Sequence, residues 1–116
     1  MDYRTFTKVS PPLRDESDRR AVVEGLRDGT IDIIASDHRP QDQDSKRLPF
    51  LQAETGIVGL ETLLPLTLAL YHSEGIPLID LVGRLTAAPA KLLDMKEGKL
   101  EAGRPADFTI FDPDHD

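Results

Sequence analysis

The run Ile31-Asp32-Ile33-Ile34-Ala35-Ser36-Asp37-His38-Arg39-Pro40 constrains this chain more than any other stretch. Its β-branched, apolar first half predicts a buried strand over residues 30–35, ended abruptly by Asp-His and a proline. In α/β barrels and open α/β sheets, reactive groups sit just past the carboxyl ends of the strands. Asp37 is therefore either a carboxylate delivered to such a place or, more simply, the cap of the following turn.

The flanking residues extend a parallel-sheet pattern. Residues 3–9 read as a short strand stopped by Ser10-Pro11-Pro12. Asp15 or Ser17 then opens a helix, with Glu16 and Asp18 at its positive end. Ala21, Val22, Gly25 and Leu26 form its apolar face, and Gly29 is its stop. Strand, helix and strand with tight connections predict a βαβ unit with a right-handed crossover. Residues 39–55 read as a long surface loop, a feature usually functional or mobile. A leucine-rich helix is predicted over residues 58–71, bent at Pro65 and apolar on most sides, hence buried against more than one neighbour. Shorter helices are predicted over residues 78–85 and after Pro89, then a turn region over residues 98–103 and a terminal strand over 107–111. Two or three strands cannot cover both faces of residues 31–35. The chain reads like the end of something larger.

Composition narrows the chemistry. The net charge of -7, with signs interleaved, argues against a nucleic-acid partner and against electrostatic attachment to an anionic membrane. Glu61, Thr62, Pro65 and Thr67 interrupt the longest apolar stretch, so no bilayer span is predicted. Met1-Asp2-Tyr3-Arg4 carries no signal pattern, which makes a cytoplasmic location the default. Cysteine is absent, so any metal would take His and carboxylate ligands.

Three blocks in order carry a family resemblance. They are Lys8-Val9-Ser10-Pro11-Pro12-Leu13-Arg14; Ser36-Asp37-His38-Arg39-Pro40-Gln41 followed by Gly56-Ile57-Val58-Gly59-Leu60-Glu61-Thr62; and Ala88-Pro89-Ala90-Lys91-Leu92-Leu93 followed by Gly98-Lys99-Leu100-Glu101-Ala102-Gly103-Arg104-Pro105-Ala106-Asp107. Together they resemble the C-terminal third of dihydroorotase, a cyclic amidohydrolase of the amidohydrolase superfamily. The resemblance implies an α/β fold: residues 1–95 as the last strands and helices of a TIM-type (β/α)8 barrel, and residues 96–116 as the return strand of a small accessory β domain. It implies a zinc hydrolase of cyclic amide bonds, interconverting dihydroorotate and carbamoyl aspartate in pyrimidine biosynthesis. Asp37 would sit at the zinc site as metal contact and general base, taking a proton from the attacking water and passing it to the leaving nitrogen. Ser10, Gln41 and Gly56 would contact the substrate, and His38 would orient Asp37 or the turn.

The departures are specific. Ser10 stands where the family has asparagine, Gln41 where it has the second histidine of Asp-His-x-Pro-His, and Glu54-Thr55-Gly56 where it has Pro-Phe-Gly. Ser10 and Gln41 favour an alternative, an inactive dihydroorotase-like partner of aspartate carbamoyltransferase, whereas retention of Asp37 favours the enzyme. The superfamily's His-x-His pair and its other metal ligands have no counterpart among His38, His72 and His115. The isolated chain is accordingly expected neither to hold zinc tightly nor to turn over substrate, and to self-associate through its apolar surfaces. His72 and His115 are expected to be solvated. Lys46-Arg47 would be either solvated or a guide for an anionic substrate. Arg14 is expected to pair with Asp15 or Asp18, and Glu61 either to bond the Asp37 loop or to cap its helix.

Overall fold

The computed structural model describes residues 3–114. After a single 3₁₀ turn at Thr5–Thr7 come five helices: α1 Glu16–Asp28, α2 Gln43–Lys46, α3 Leu60–Glu74, α4 Leu78–Leu85 and α5 Ala87–Leu92.

Local signals account for the helix ends. The Asp15 carboxylate accepts the N–H groups of Ser17 and Asp18 at 2.9 and 3.1 Å, opening α1. Gly29, at φ 82°, closes it in the left-handed conformation. α3 starts and ends later than predicted, closing on Gly75, with Pro65 inside it. α4 matches its predicted bounds. α5 begins ahead of Pro89, which falls in its first turn, where a missing N–H costs little.

The predicted strands do not form. Residues 3–9 contain the 3₁₀ turn, and neither residues 30–35 nor residues 107–111 belong to a strand. The reason is the absence of partners: a strand is completed by its neighbours' N–H and C=O groups. Ile31 instead donates its N–H to the Gly25 carbonyl at 2.8 Å, and Ile34 to the Arg84 carbonyl at 3.2 Å. Among the described residues the isolated β pairing is one parallel bridge between His38 and Ile57.

A small core forms where α1, α4 and residues 31–34 meet. Val23, Leu26, Ile76 and Leu81 are its buried members, with Ile31, Ile34, Leu70 and Tyr71 packed against them. Leu81 is fully buried, which contributes about 1.5–3 kcal/mol. Gly25 permits the close approach: a Cβ there would lie 3.0 Å from the Ile31 side chain. Arg84 locks the junction by donating to the carbonyls of Ile31 and Leu26.

Two burial expectations fail for one reason. Val22 is 52% exposed, and Val23 takes its place on the buried face of α1. α3 buries only Thr67, leaving Leu60 and Leu66 exposed. Val22 and Leu66 instead line an open groove beside residues 31–36.

Candidate functional site

Asp37 stands at the hinge between residues 31–36 and the loop that follows. Its φ of 44° lies in the left-handed region, which Asp tolerates better than most side chains but which still costs energy. The residue is exposed, and its carboxylate has no hydrogen bond among the described residues. It is not spent on capping the turn.

Its neighbours are pinned. His38 Nδ1 accepts the N–H groups of Gly59 and Leu60 at 3.0 and 3.2 Å, so the ring proton belongs on Nε2. These two N–H groups open α3, whose N-cap, Gly59, has no side chain to serve them. Gly59 is required here because a Cβ would stand 2.6 Å from the Ser36 carbonyl oxygen. Ser36 Oγ accepts the His38 N–H at 3.3 Å, and Arg39 donates its N–H to Ile57 at 3.0 Å. His38 therefore orients the turn that carries Asp37. Glu61 takes neither of its expected roles: it is exposed and does not cap α3.

The long loop is built rather than loose. Asp42 caps α2 within it, accepting the Ser45 N–H at 2.8 Å; that bond, with one from the Ser45 hydroxyl, holds the Asp42 carboxyl below its ordinary range. Lys46 corrects the expectation of a solvated or substrate-steering charge. It is 3% exposed, and its ammonium donates to the carbonyls of Lys8, Glu54 and Gly56 at 3.2, 2.9 and 2.9 Å. Lys8 does similar work one step away, donating to Phe50 and Ala53 at 2.7 and 2.6 Å. Arg47 remains exposed.

The expected substrate residues fall around this loop. Gln41 Nε2 donates to the Thr55 carbonyl at 3.0 Å. Gly56 is buried at φ 134° with the Arg39 carbonyl where a Cβ would point, and it donates its N–H to Lys8 at 3.0 Å. Ser10 is exposed, two residues beyond Lys8. Gln41, Gly56 and the Ser10 segment thus share one hydrogen-bonded assembly, which reaches the Asp37 turn through Arg39 and Ile57. No hydrogen bond joins Asp37 directly to Ser10 or Gln41.

Of the other residues singled out, Arg14 pairs with Asp18 at 3.0 Å, as expected. His72 is exposed but not simply solvated, since its Nε2 meets the Pro113 carbonyl at 2.8 Å. His115 lies outside the described residues. Among those described, no group of three or more His, Cys, Asp or Glu is placed to hold a metal ion. The sequence pattern missed Lys46, Lys8 and Arg84. A long irregular loop leaves many carbonyls without ladder partners, and a lysine inside it was the available signal.

Residues 9–116 match the model of the amidohydrolase family. The chain belongs to the amidohydrolase family. Over 115 residues the chain is 47% identical to a dihydroorotase of Anaplasma phagocytophilum, covering 99% of the chain and 26% of that relative. It is 50% identical over 110 residues to a dihydroorotase of the Wolbachia of Brugia malayi, covering 95% of the chain and 25% of that protein. The chain thus spans about a quarter of the curated relatives it matches. Among solved structures it resembles a D-hydantoinase, with TM-score 0.79 and 25% identity over 89% of the chain and 24% of the enzyme. A D-hydantoinase (dihydropyrimidinase) from Thermus sp. superposes with TM-score 0.74 at the same identity and coverage. The helices and loops described above therefore follow the path of one stretch of a larger hydrolase.

Proposed function

We propose that this chain is the part of a dihydroorotase-type zinc amidohydrolase that carries its general base, Asp37, and part of its substrate loop. Residues 1–95 would complete a (β/α)8 barrel and residues 96–116 a small β domain. The observation that carries this is Asp37 itself: an exposed carboxylate, uncommitted among the described residues, on a left-handed turn held in place by His38. Nothing in the turn's own hydrogen bonding needs a carboxylate there.

Such a group fits as one oxygen ligand of a zinc ion. The other ligands of the three or four that zinc takes would come from outside this chain. Zinc bound there would make water acidic enough to attack a cyclic amide carbonyl. Asp37 would accept the proton released as the new C–O bond forms, and hand it to the ring nitrogen as the C–N bond breaks. Ser10, Gly56 and the Gln41 side chain would hold the ring and its carboxylate.

One observation favours the second reading, an inactive partner of aspartate carbamoyltransferase. Gln41 already spends one of its two amide N–H groups on Thr55, which leaves a single N–H for a substrate carboxylate. Dihydroorotate hydrolysis by the protein carrying these residues decides between the two. Turnover is expected, with Asp37→Asn lowering it about a hundred- to ten-thousand-fold. A folded, zinc-loaded wild type without turnover that co-sediments with aspartate carbamoyltransferase would establish the second reading instead.

A further inference from the structure

We infer that Lys46 is a positioning residue for substrate binding, acting through backbone carbonyls and touching no substrate itself. Its ammonium is buried and meets three carbonyl oxygens from two separated segments: Lys8 on one side, Glu54 and Gly56 on the other. An ammonium has three donors and no acceptor, so three carbonyls use its full capacity. A charge this deep is retained only where every donor is matched.

The three carbonyls are not scattered. The Lys8 carbonyl also accepts the Gly56 N–H at 3.0 Å, so Lys46 closes a junction that the backbone has begun. Ser10 lies two residues beyond Lys8, and Thr55, which takes the Gln41 amide at 3.0 Å, lies between Glu54 and Gly56. One side chain thus sets the relative placement of Ser10, Gln41 and Gly56. Asp37 is not among its partners. Loss of Lys46 should therefore loosen substrate contacts while leaving the proton-transfer group in place. This inference rests on the proposed dihydroorotase site for the identity of the substrate, but the clamp can be tested without turnover.

Lys46→Met and Lys46→Arg test it in the protein that carries these residues, by amide hydrogen exchange and steady-state kinetics with dihydroorotate. Arginine keeps the charge but presents a planar fork instead of a compact three-way donor. In Lys46→Met, exchange at Gly56 should rise at least about tenfold while α1 and α4 keep their protection, and KM should rise about tenfold with kcat within about threefold. Lys46→Arg should fall between wild type and Lys46→Met, and decides by the same measures if Lys46→Met does not fold. A purely structural role would lower the active fraction and hence kcat, with KM unmoved, and that result overturns the inference. So does exchange that is unchanged at Gly56 or that rises equally in every helix. If exchange rises locally in a protein whose wild type has no turnover, the clamp stands and the dihydroorotase reading falls.

Discussion

His38 caps helix α3 for Gly59: its Nδ1 accepts the Gly59 N–H at 3.0 Å, doing for this glycine what an N-cap side chain does elsewhere. Because His38 follows Asp37 directly, the helix end and the candidate catalytic turn are one structural unit. His38→Ala should cost about 0.5–2 kcal/mol, the usual loss on deleting a cap. It should also raise amide exchange at Gly59 and Leu60 specifically. Urea denaturation and exchange mass spectrometry measure both, and wild-type protection at Leu60 would refute the capping role.

Asp37 holds a left-handed φ that glycine adopts without strain. Asp37→Gly should therefore raise stability, by about 0.5–1 kcal/mol once glycine's own entropy is counted. In the active protein it should remove turnover. Parallel urea melts and hydrolysis assays show whether the two effects separate. A variant less stable than wild type would mean the aspartate side chain supports the fold.

Glu16 gives α1 a defined response to acid. Hydrogen bonds from Arg19 and then Arg20 hold its carboxyl at about 2, below its ordinary value of 4.5. A depressed carboxyl contributes stability that is complete above the unfolded value, near 4.5, and lost as pH falls through about 2. Glu16→Gln should flatten the stability profile in that window, and since the group is exposed, added salt should do part of the same. An NMR titration that finds Glu16 in the ordinary carboxylate range would remove this account.

The uncovered flank of residues 31–36 forms an open groove of about 410 Å³ with α3, lined by Ile31, Ile33, Leu63 and Leu66 among others. Contiguous apolar surface of this kind drives association in water. The 116-residue chain alone is expected to sediment as concentration-dependent oligomers at micromolar concentration. Leu66→Glu should shift it toward monomer. A wild-type monomer with a cooperative melt would mean the small core suffices.

Helices α1, α3 and α4 were legible because their signals act within one turn, whereas α2 lies inside the stretch read as a loop. Asp15 reaches N–H groups two and three residues on, Gly29 supplies its own left-handed stop, and the 78–85 pattern reports its own periodicity. The blocks around Ser10, Asp37 and Ala88 likewise announced the family. Strand order was not legible in the same way. The β-branched run at residues 31–35 carries the propensity, but a strand exists only when another backbone offers its N–H and C=O groups.

Tertiary structure alone decided which long polar side chains matter. Lys46 and Arg47 are adjacent, similar and both charged, yet one is buried among three carbonyls and the other is exposed. Nothing local distinguishes them, because the carbonyls of Lys8, Glu54 and Gly56 converge only after the chain has folded. The same holds for His38, whose partners at Gly59 and Leu60 lie 21 and 22 residues away. Composition and periodicity describe what each segment can bury; where a donor finds its acceptor depends on segments far apart in sequence meeting in space.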